Sequence, residues 1–347
     1  MKKTVVTILL SALTLGLLAG CGEPAASGDS GNGSAGGGSY TITIAHSTAE
    51  NTAMHNTWLA FKDYVEGETD GAITVNIYPN GQMGGDREVV EAVQNNEITI
   101  TDTANAVQAN FVADAFVLDV PFAFPTLEAM RYTLADPTFV DVIGKSYDTA
   151  NLHLLGYADT YFRVLSTNKP VYEPADLKGM TIRTMENEYH MEAWRELGAN
   201  PTPLAFNELY TALQQGTVDA QENPLELIYS QKFFEQQDYV ILTNHLGQII
   251  PCVMSKSYYD ALPEEYQKVI DQGWEVGLKR CYEFLEENEA VVEQAIRDSG
   301  TEIIELTPEQ LAKFQEATAG VGDMIQKAVS AEVYEALQAS CAGFDAQ

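Results

Sequence analysis

Arginine is scarce in this chain, and two of the seven arginines lie where their chemistry could matter. Arg163 stands early in the strand-like segment YFRVLST (161–167), and Arg183 stands near the end of GMTIRT (179–184). Because side chains alternate along a strand, Arg183 points to the face opposite Ile182. The planar guanidinium matches a carboxylate with two parallel hydrogen bonds. Neighbouring strands with one arginine each therefore indicate an anion site, and the alternative is two unrelated, solvated arginines.

The composition restricts what such a site can be. The chain has 347 residues, a formal net charge of −31 and a pI near 4.3. This charge argues against nucleic acid or an anionic membrane as a partner. It also repels small anions, so an anion site must be built locally from a few cations held out of bulk water. The length favours about two domains.

The first residues read as a targeting segment. Lys2 and Lys3 precede an apolar run (4–20) that is too short to span a membrane. The run ends in LAGC, where the thiol of Cys21 can accept a lipid. We predict a lipoprotein signal peptide at 1–20, and the alternative is a plain secretory signal with a chance cysteine. A lipidated Cys21 with a flexible Gly/Ser tether (21–39) would then hold an extracytoplasmic body on the outer, periplasmic face of the cell membrane.

Enzyme, metal and disulfide patterns are weak. The sequence has no G-x-S-x-G, H-E-x-x-H, P-loop or dinucleotide motif, so we predict no catalysis, no cofactor and no metal. Five scattered histidines lack a second ligand at metal spacing. Besides Cys21, the cysteines are Cys252, Cys281 and Cys341, and either one disulfide or three free thiols remains open.

The body alternates strand and helix patterns, which is typical of an α/β fold. Helical spacing covers 51–67 and, after Pro263, a long run to about Asp298 that could lie across two lobes. Strand patterns cover 41–45, 72–78, 96–102, 152–158, 161–167, 179–184, 216–222, 238–245 and 248–255.

Two segments repeat the same pattern at an offset of 120 residues. EVVEAVQNNEITITDT (88–103) and ELYTALQQGTVDAQEN (208–223) share Glu, Ala, Gln and a β-branched residue at equal spacings. In both segments a helix leads into a strand that ends with an acid, Asp102 or Glu222. The repeat predicts two similar lobes whose strand ends face each other across a cleft, and the alternative is chance.

One long stretch resembles a known family. ADLKGMTIRTMEN (175–187), then ELGANPTPLAFNELYTALQQGTVDAQENP (196–224) and LTNH (242–245), is similar to the core of the DctP-like solute-binding proteins of tripartite ATP-independent periplasmic (TRAP) transporters. YPNGQMGGDREVVEAVQNNEI (78–98) fits as well. The resemblance implies a two-lobed, periplasmic-binding-protein-like α/β fold with a ligand cleft between the lobes. We expect lobe 1 at 40–160 plus 250–282, lobe 2 at 161–249 plus 283–347, and the long C-terminal helix spanning both.

The resemblance also implies roles for individual residues. Arg183 would grip the ligand carboxylate, Arg163 would be a second basic contact, and Asn223 would hold the same carboxylate from a neighbouring strand. Phe206 would pack over the ligand. The remaining expected cleft residues are Asp102, His46, Glu186, Asn187 and Asn105.

The function implied by the resemblance is capture of a small organic acid and its delivery to the membrane permease subunits of a TRAP transporter. The ligand would be a C4-dicarboxylate or a sugar acid such as a uronate, and the protein a monomer. One alternative is a sensor that presents the acid to a signalling receptor. A further alternative is an extracytoplasmic hydrolase.

Overall fold

The computed structural model describes residues 39–346. The predicted signal peptide (1–20), Cys21 and all but the last residue of the tether (21–39) lie outside the described residues. The strands are β1 Tyr40–Ala45, β2 Ile73–Tyr78, β3 Ile100–Thr101, β4 Leu152–Thr167, β5 Thr181–Thr184, β6 Asn200–Pro203, β7 Ala220–Asn223, β8 Tyr239–Ser255 and β9 Glu302–Glu305. The α-helices are α1 Ala53–Glu68, α2 Asp86–Gln94, α3 Asn105–Gln108, α4 Leu127–Ala135, α5 Pro137–Thr149, α6 Glu188–Glu196, α7 Leu209–Gln214, α8 Leu225–Ser230, α9 Lys256–Ala261, α10 Glu264–Asp298, α11 Pro308–Ala328 and α12 Ala331–Asp345.

The strands of the described body form one mixed sheet. Its order is β2-β1-β3-β8-β4-β7-β5-β6, and β9 pairs with β8 in parallel. Strands β1, β2 and β3 are parallel to one another, as are β5, β6 and β7. Each parallel group therefore forms one half of the sheet, and the two halves meet at β4 and β8.

Strands β4 and β8 connect the two halves. They pair antiparallel from Leu152 with Ser255 at one end to Thr167 with Tyr239 at the other. The pairing shifts register between Asp159 and Phe162, close to its midpoint. Such irregularities bend and twist a strand pair, so this point is suited to a hinge.

Helices α1 and α10 pack closely in one core. Trp58, Phe61 and Trp274 are almost completely buried there. A Cβ atom on Gly277 would lie 2.9 Å from the carbonyl oxygen of Thr57, and glycine at this position lets the two helices approach. Helix α10 continues into another core, where its later residues pack, so this one helix joins both halves.

Most predicted elements are present, with different limits. The two strand patterns at 152–158 and 161–167 are one strand, β4, and those at 238–245 and 248–255 are one strand, β8. The expected strand at 96–102 is only two residues long. The idea that the strands of Arg163 and Arg183 are neighbours is wrong, because β7 lies between β4 and β5. The lobe boundaries (40–160 plus 250–282, and 161–249 plus 283–347) stay a prediction.

Cys252, Cys281 and Cys341 are free thiols, which decides between the two arrangements left open by the sequence. Within the described residues, no helix is both long and apolar enough to cross a membrane. Between residues 39 and 346, no group of three or more His, Cys, Asp or Glu side chains is placed to hold a metal ion.

Candidate ligand-binding site

Arg163 is a fully paired arginine. Its side chain is 1% exposed, and it donates through Nε and Nη2 to both carboxylate oxygens of Glu222, at 2.5 and 2.8 Å. The Nη2 atom also lies 3.2 Å from Oδ1 of Asn223, and Nη1 donates to the side chain of Gln248. Burial opposes ionisation of Glu222, but Arg163 and His245 outweigh it and hold the pKa of that carboxyl well below its usual value. The fork of Arg163 is therefore already satisfied within the protein.

Arg183 is buried and forms no salt bridge with any residue between 39 and 346. It lies on β5 next to Ile182, which fills the core on the other face of the strand. The guanidinium is 2% exposed and donates through Nε and Nη2 to the carbonyl oxygen of Leu204, at 3.0 and 2.7 Å. In the described part of the chain its Nη1 has no hydrogen-bond partner. The ring of Phe206 lies 5.9 Å from Cζ, a cation–π distance.

The surroundings of Arg183 weaken its hold on its proton. Burial, together with the positive charge of Arg163, lowers the pKa of Arg183 to about 10, although Glu222 and Asp86 act in the opposite direction. The group is still charged at neutral pH. A buried, charged donor without an anion is costly, so Nη1 marks a place where an anion would be stabilised.

Arg183 lines a cavity of about 40 Å³. At roughly 10–15 Å³ for each water molecule, the space admits about three waters. Both β4 and β5 contribute to it, together with the segments that follow β1, β3 and β7. The lining residues are Ser47, Thr48, Thr52, Met54, Asp86, Asp102, Thr103, Ala104, Thr160, Arg163, Arg183, Met185, Phe206, Asn223, Glu226, Leu227, Gln248 and Ile250.

Carboxyl groups line the rest of the cavity. Asp102 accepts a hydrogen bond from Nε1 of Trp58 at 2.8 Å, and Glu226 accepts one from the backbone N–H of Ala53 at 2.5 Å. Burial raises the pKa of both carboxyls to about 7, and the hydrogen bonds only partly offset this effect. Burial also raises the pKa of Asp86, in the first turn of α2. Two of these acids can thus change charge near neutral pH.

The structure brings together five of the nine predicted cleft residues. Arg183, Arg163, Asn223, Phe206 and Asp102 all line the cavity. The ring of His46 is instead buried against His55, with Nε2 and Nδ1 3.2 Å apart.

The other three predicted residues lie at the edge of the site. Asn105 and Asn187 both donate to the carboxylate of Asp119, at 3.0 and 2.7 Å, and are structural in this arrangement. The side chain of Glu186 is half exposed and lies 3.6 Å from Arg87. These contacts tie the segment after β5 to the region around α3.

Sequence reasoning missed several lining residues. Asp86, Glu226 and Gln248 belong to the cavity, as do the hydroxyl groups of Thr103 and Thr160. Asp86 opens α2 within the quoted GGDREVV pattern, and acidic residues are favoured at helix N-termini, so this pattern was the signal for it. Glu226 follows ENP by two residues and carries no signal of its own.

The geometry agrees with comparisons to known proteins. The model of the bacterial extracellular solute-binding proteins, family 7 (DctP), matches residues 44–329. A solute-binding protein of Verminephrobacter eiseniae (strain EF01-2) is 35% identical over 288 residues, which are 83% of this chain and 85% of that protein. The C4-dicarboxylate-binding periplasmic protein DctP of Rhodobacter capsulatus is 30% identical over 310 residues, 87% and 91% of the two chains.

A solved structure shows the same likeness in three dimensions. A TRAP periplasmic solute-binding protein from Anaerococcus prevotii, with bound α/β D-glucuronate, superposes with a TM-score of 0.84 at 25% identity. The match covers 88% of this chain and 99% of that chain. The chain therefore belongs to the DctP family of extracellular solute-binding proteins, which serve TRAP transporters.

Proposed function

We propose that this chain is an extracytoplasmic, lipid-anchored binding protein that captures a small organic acid and hands it to a TRAP permease without chemical conversion. The carboxylate of the ligand would bind Arg183, with Asn223 beside it and Phe206 over it. The named relatives bind a C4-dicarboxylate in one case and a sugar acid in another, and both classes carry the required carboxylate.

The unpaired Nη1 of Arg183 carries this proposal. Among the described residues that line the cavity, Arg163 has its charge matched by Glu222, whereas Arg183 donates only to a carbonyl oxygen. A hydrogen bond between charged groups contributes about 1.5–3 kcal/mol, and micromolar capture requires about 8 kcal/mol. Further contacts from the cavity and exclusion of water must therefore supply the difference.

The cavity is small because the segments around it are in contact. Glu226 reaches the N-terminus of α1, and Nδ2 of Asn110 donates to the carbonyl oxygen of Glu186 at 2.6 Å. Both contacts join residues of predicted lobe 1 to residues of predicted lobe 2. Ligand entry would require these contacts to break and the cleft to widen, with the register shift near Asp159 as the bending point.

Calorimetric titration with a panel of small organic acids tests the proposal. We expect at least one acid to bind, and Arg183→Ala to lose that binding by more than about 100-fold, since the carboxylate would enter the cleft unpaired. Arg195→Ala is the matched control, because Arg195 is half exposed and pairs with Glu192 on the surface. Equal affinity of Arg183→Ala and the wild type would refute the assignment, and turnover of the bound acid would refute binding without chemistry.

The predicted anchor has its own test. Cys21→Ala should release the protein from the membrane fraction or leave it misprocessed, because an unlipidated mature chain has no other predicted membrane-binding feature. Cys341→Ala is the control, since this thiol lies in the body. Immunoblots of fractionated cells measure the distribution, and membrane association of the Cys21→Ala protein would contradict the anchor.

A further inference from the structure

The cavity contains more carboxyl groups than unmatched cations. Arg163 is neutralised by Glu222, so Arg183 is the one lining arginine of the described cavity that lacks a carboxylate partner. Three carboxyl groups share the lining with it, namely Asp86, Asp102 and Glu226, here called the acidic wall. One ligand carboxylate would balance Arg183. A second ligand carboxylate would find no further unmatched arginine among the lining residues and would approach the acidic wall.

The acidic wall has acceptor atoms to offer a ligand. Trp58 donates to one oxygen of Asp102, and the backbone of Ala53 donates to one oxygen of Glu226. The second oxygen of each carboxyl group is available to a ligand. Oδ1 of Asp86 is buried and has no hydrogen-bond partner among the described residues. Ligand hydroxyl groups would satisfy these acceptors.

Two hydroxyl groups of the lining are also unsatisfied. Oγ1 of Thr103 and Oγ1 of Thr160 are buried without a hydrogen-bond partner in the described body. A threonine hydroxyl both donates and accepts, so it suits a ligand hydroxyl. A metal ion does not explain the acidic wall, because residues 39–346 contain no metal-binding group of carboxylates.

Building on the proposed function, we propose that the acidic wall restricts the ligand to an acid with one carboxylate and several hydroxyl groups, and that it rejects a second carboxylate. The carboxylate lies on Arg183, and the hydroxyl groups donate to Asp86, Asp102 and Glu226. A like charge placed against the acidic wall is strongly unfavourable. Glu226 and Asp86 are then specificity-determining residues, and the C4-dicarboxylates are excluded.

Matched ligand pairs test this selectivity directly. D-Erythronate and meso-tartrate differ only at the last carbon, which carries a hydroxyl group in the first and a carboxylate in the second. D-Gluconate and D-glucarate differ in the same way but have a longer carbon chain. At pH 8, we expect calorimetry to show binding of the monocarboxylate of at least one pair, about 100-fold or more tighter than its dicarboxylate partner.

The pH dependence of the wild-type protein gives a readout that requires no substitution. Asp102 and Glu226, whose pKa values are about 7, are charged at pH 8 and mostly protonated at pH 5.5. The preference for the monocarboxylate over its dicarboxylate partner should therefore be about tenfold or more smaller at pH 5.5 than at pH 8. A preference that stays constant between these pH values would contradict a role for the acidic wall.

Substitutions show which residues cause the preference for the monocarboxylate. Glu226→Gln and Asp86→Asn should each reduce the preference at pH 8 by about tenfold, mainly through tighter binding of the dicarboxylate. Glu302→Gln is the control, because Glu302 is exposed on β9 and lies outside the lining. Melting curves recorded beside the titrations show whether each variant is folded, and a preference that is unchanged in both folded variants would overturn the assignment.

The outcomes separate this inference from the function on which it rests. Tight binding of succinate, meso-tartrate or D-glucarate at pH 8 would overturn the inference and leave acid capture intact. Binding of an amino acid in place of a hydroxy acid would overturn it as well. Failure of every acid, including succinate and D-glucuronate, would count against the proposed function itself.

Discussion

Arg163 and Arg183 lie on two strands of one sheet, and their side chains are only 1% and 2% exposed. Arg163 meets a carboxylate of its own chain, Glu222, at 2.5 and 2.8 Å. Arg183 meets only the carbonyl oxygen of Leu204 and leaves Nη1 free of partners within the described residues. Two equally buried guanidinium groups thus differ in their partners: the paired one is neutralised within the protein, whereas the unpaired one is the proposed site for an external anion.

The largest expected effect is the loss of protein stability when Arg163, the paired arginine, is replaced. Arg163→Ala should lower the free energy of unfolding by about 3–5 kcal/mol, because Glu222 would remain buried without its arginine and keep only His245, at 3.1 Å, beside it. Arg183→Ala should change it by less than about 1 kcal/mol, since loss of the bonds to Leu204 is offset by removal of a buried charge. Urea denaturation at pH 7 measures both values.

A double substitution sharpens this comparison. Arg163→Met combined with Glu222→Leu removes both charges and should recover most of the lost stability, as apolar replacements of buried ion pairs often do. If Arg183→Ala lowered the free energy of unfolding as much as Arg163→Ala does, both arginines would be structural and the distinction between them would be wrong.

A smaller effect is expected on ligand affinity. Arg183→Lys keeps the charge but loses the planar fork, so affinity for the acid identified by titration should fall by about 1.5–3 kcal/mol, roughly ten- to hundred-fold. Arg195→Lys, on the surface, should bind as the wild type does. Unchanged affinity in Arg183→Lys would mean that a point charge suffices and that the fork geometry is not used.

The smallest effect concerns pH. Glu226 has its pKa raised by burial to about 7 in the folded protein, from 4.5 in an exposed chain. The folded state therefore holds this proton more strongly, and stability falls as pH rises from about 4.5 to 7. Glu226→Gln removes this penalty, so it should stabilise the protein by about 1–2 kcal/mol at pH 8 and by little at pH 4.5.

Glu222 and Glu226 should make the stability of the protein depend on pH in opposite directions. Glu222, whose pKa is lowered by Arg163, contributes stability that is present above its unfolded value and is lost as the pH falls below it. Melting temperatures of the wild type and Glu226→Gln between pH 4.5 and 8 measure the contribution of Glu226, since that of Glu222 changes only below this range. Parallel curves for the two proteins would contradict a buried, ionisable Glu226.

Local patterns were sufficient to predict most elements. Alternation predicted β1 and β2, and the helical spacing after Pro263 predicted α10, whose observed limits are Glu264–Asp298. The family resemblance and the fold class are confirmed by the family match and the solved neighbour. The length of β4 and β8 was not predicted, because register shifts interrupt the pairing between Asp159 and Phe162 of β4 and between Ile241 and Leu246 of β8.

The sequence by itself determined the α/β class and the family, and it singled out Arg183 as the predicted ligand contact, because periodicity, composition and the GMTIR context are local properties. Only the tertiary structure decided which of the two arginines lacks a carboxylate partner among the described residues. Glu222 comes 59 positions after Arg163, and their pairing depends on β7 lying beside β4. The same holds for Glu226, which lines the cavity because α8 packs against the start of α1. Charge balance in a cleft is a property of groups brought together from distant segments, so it follows from the packing of strands and not from any one stretch of residues.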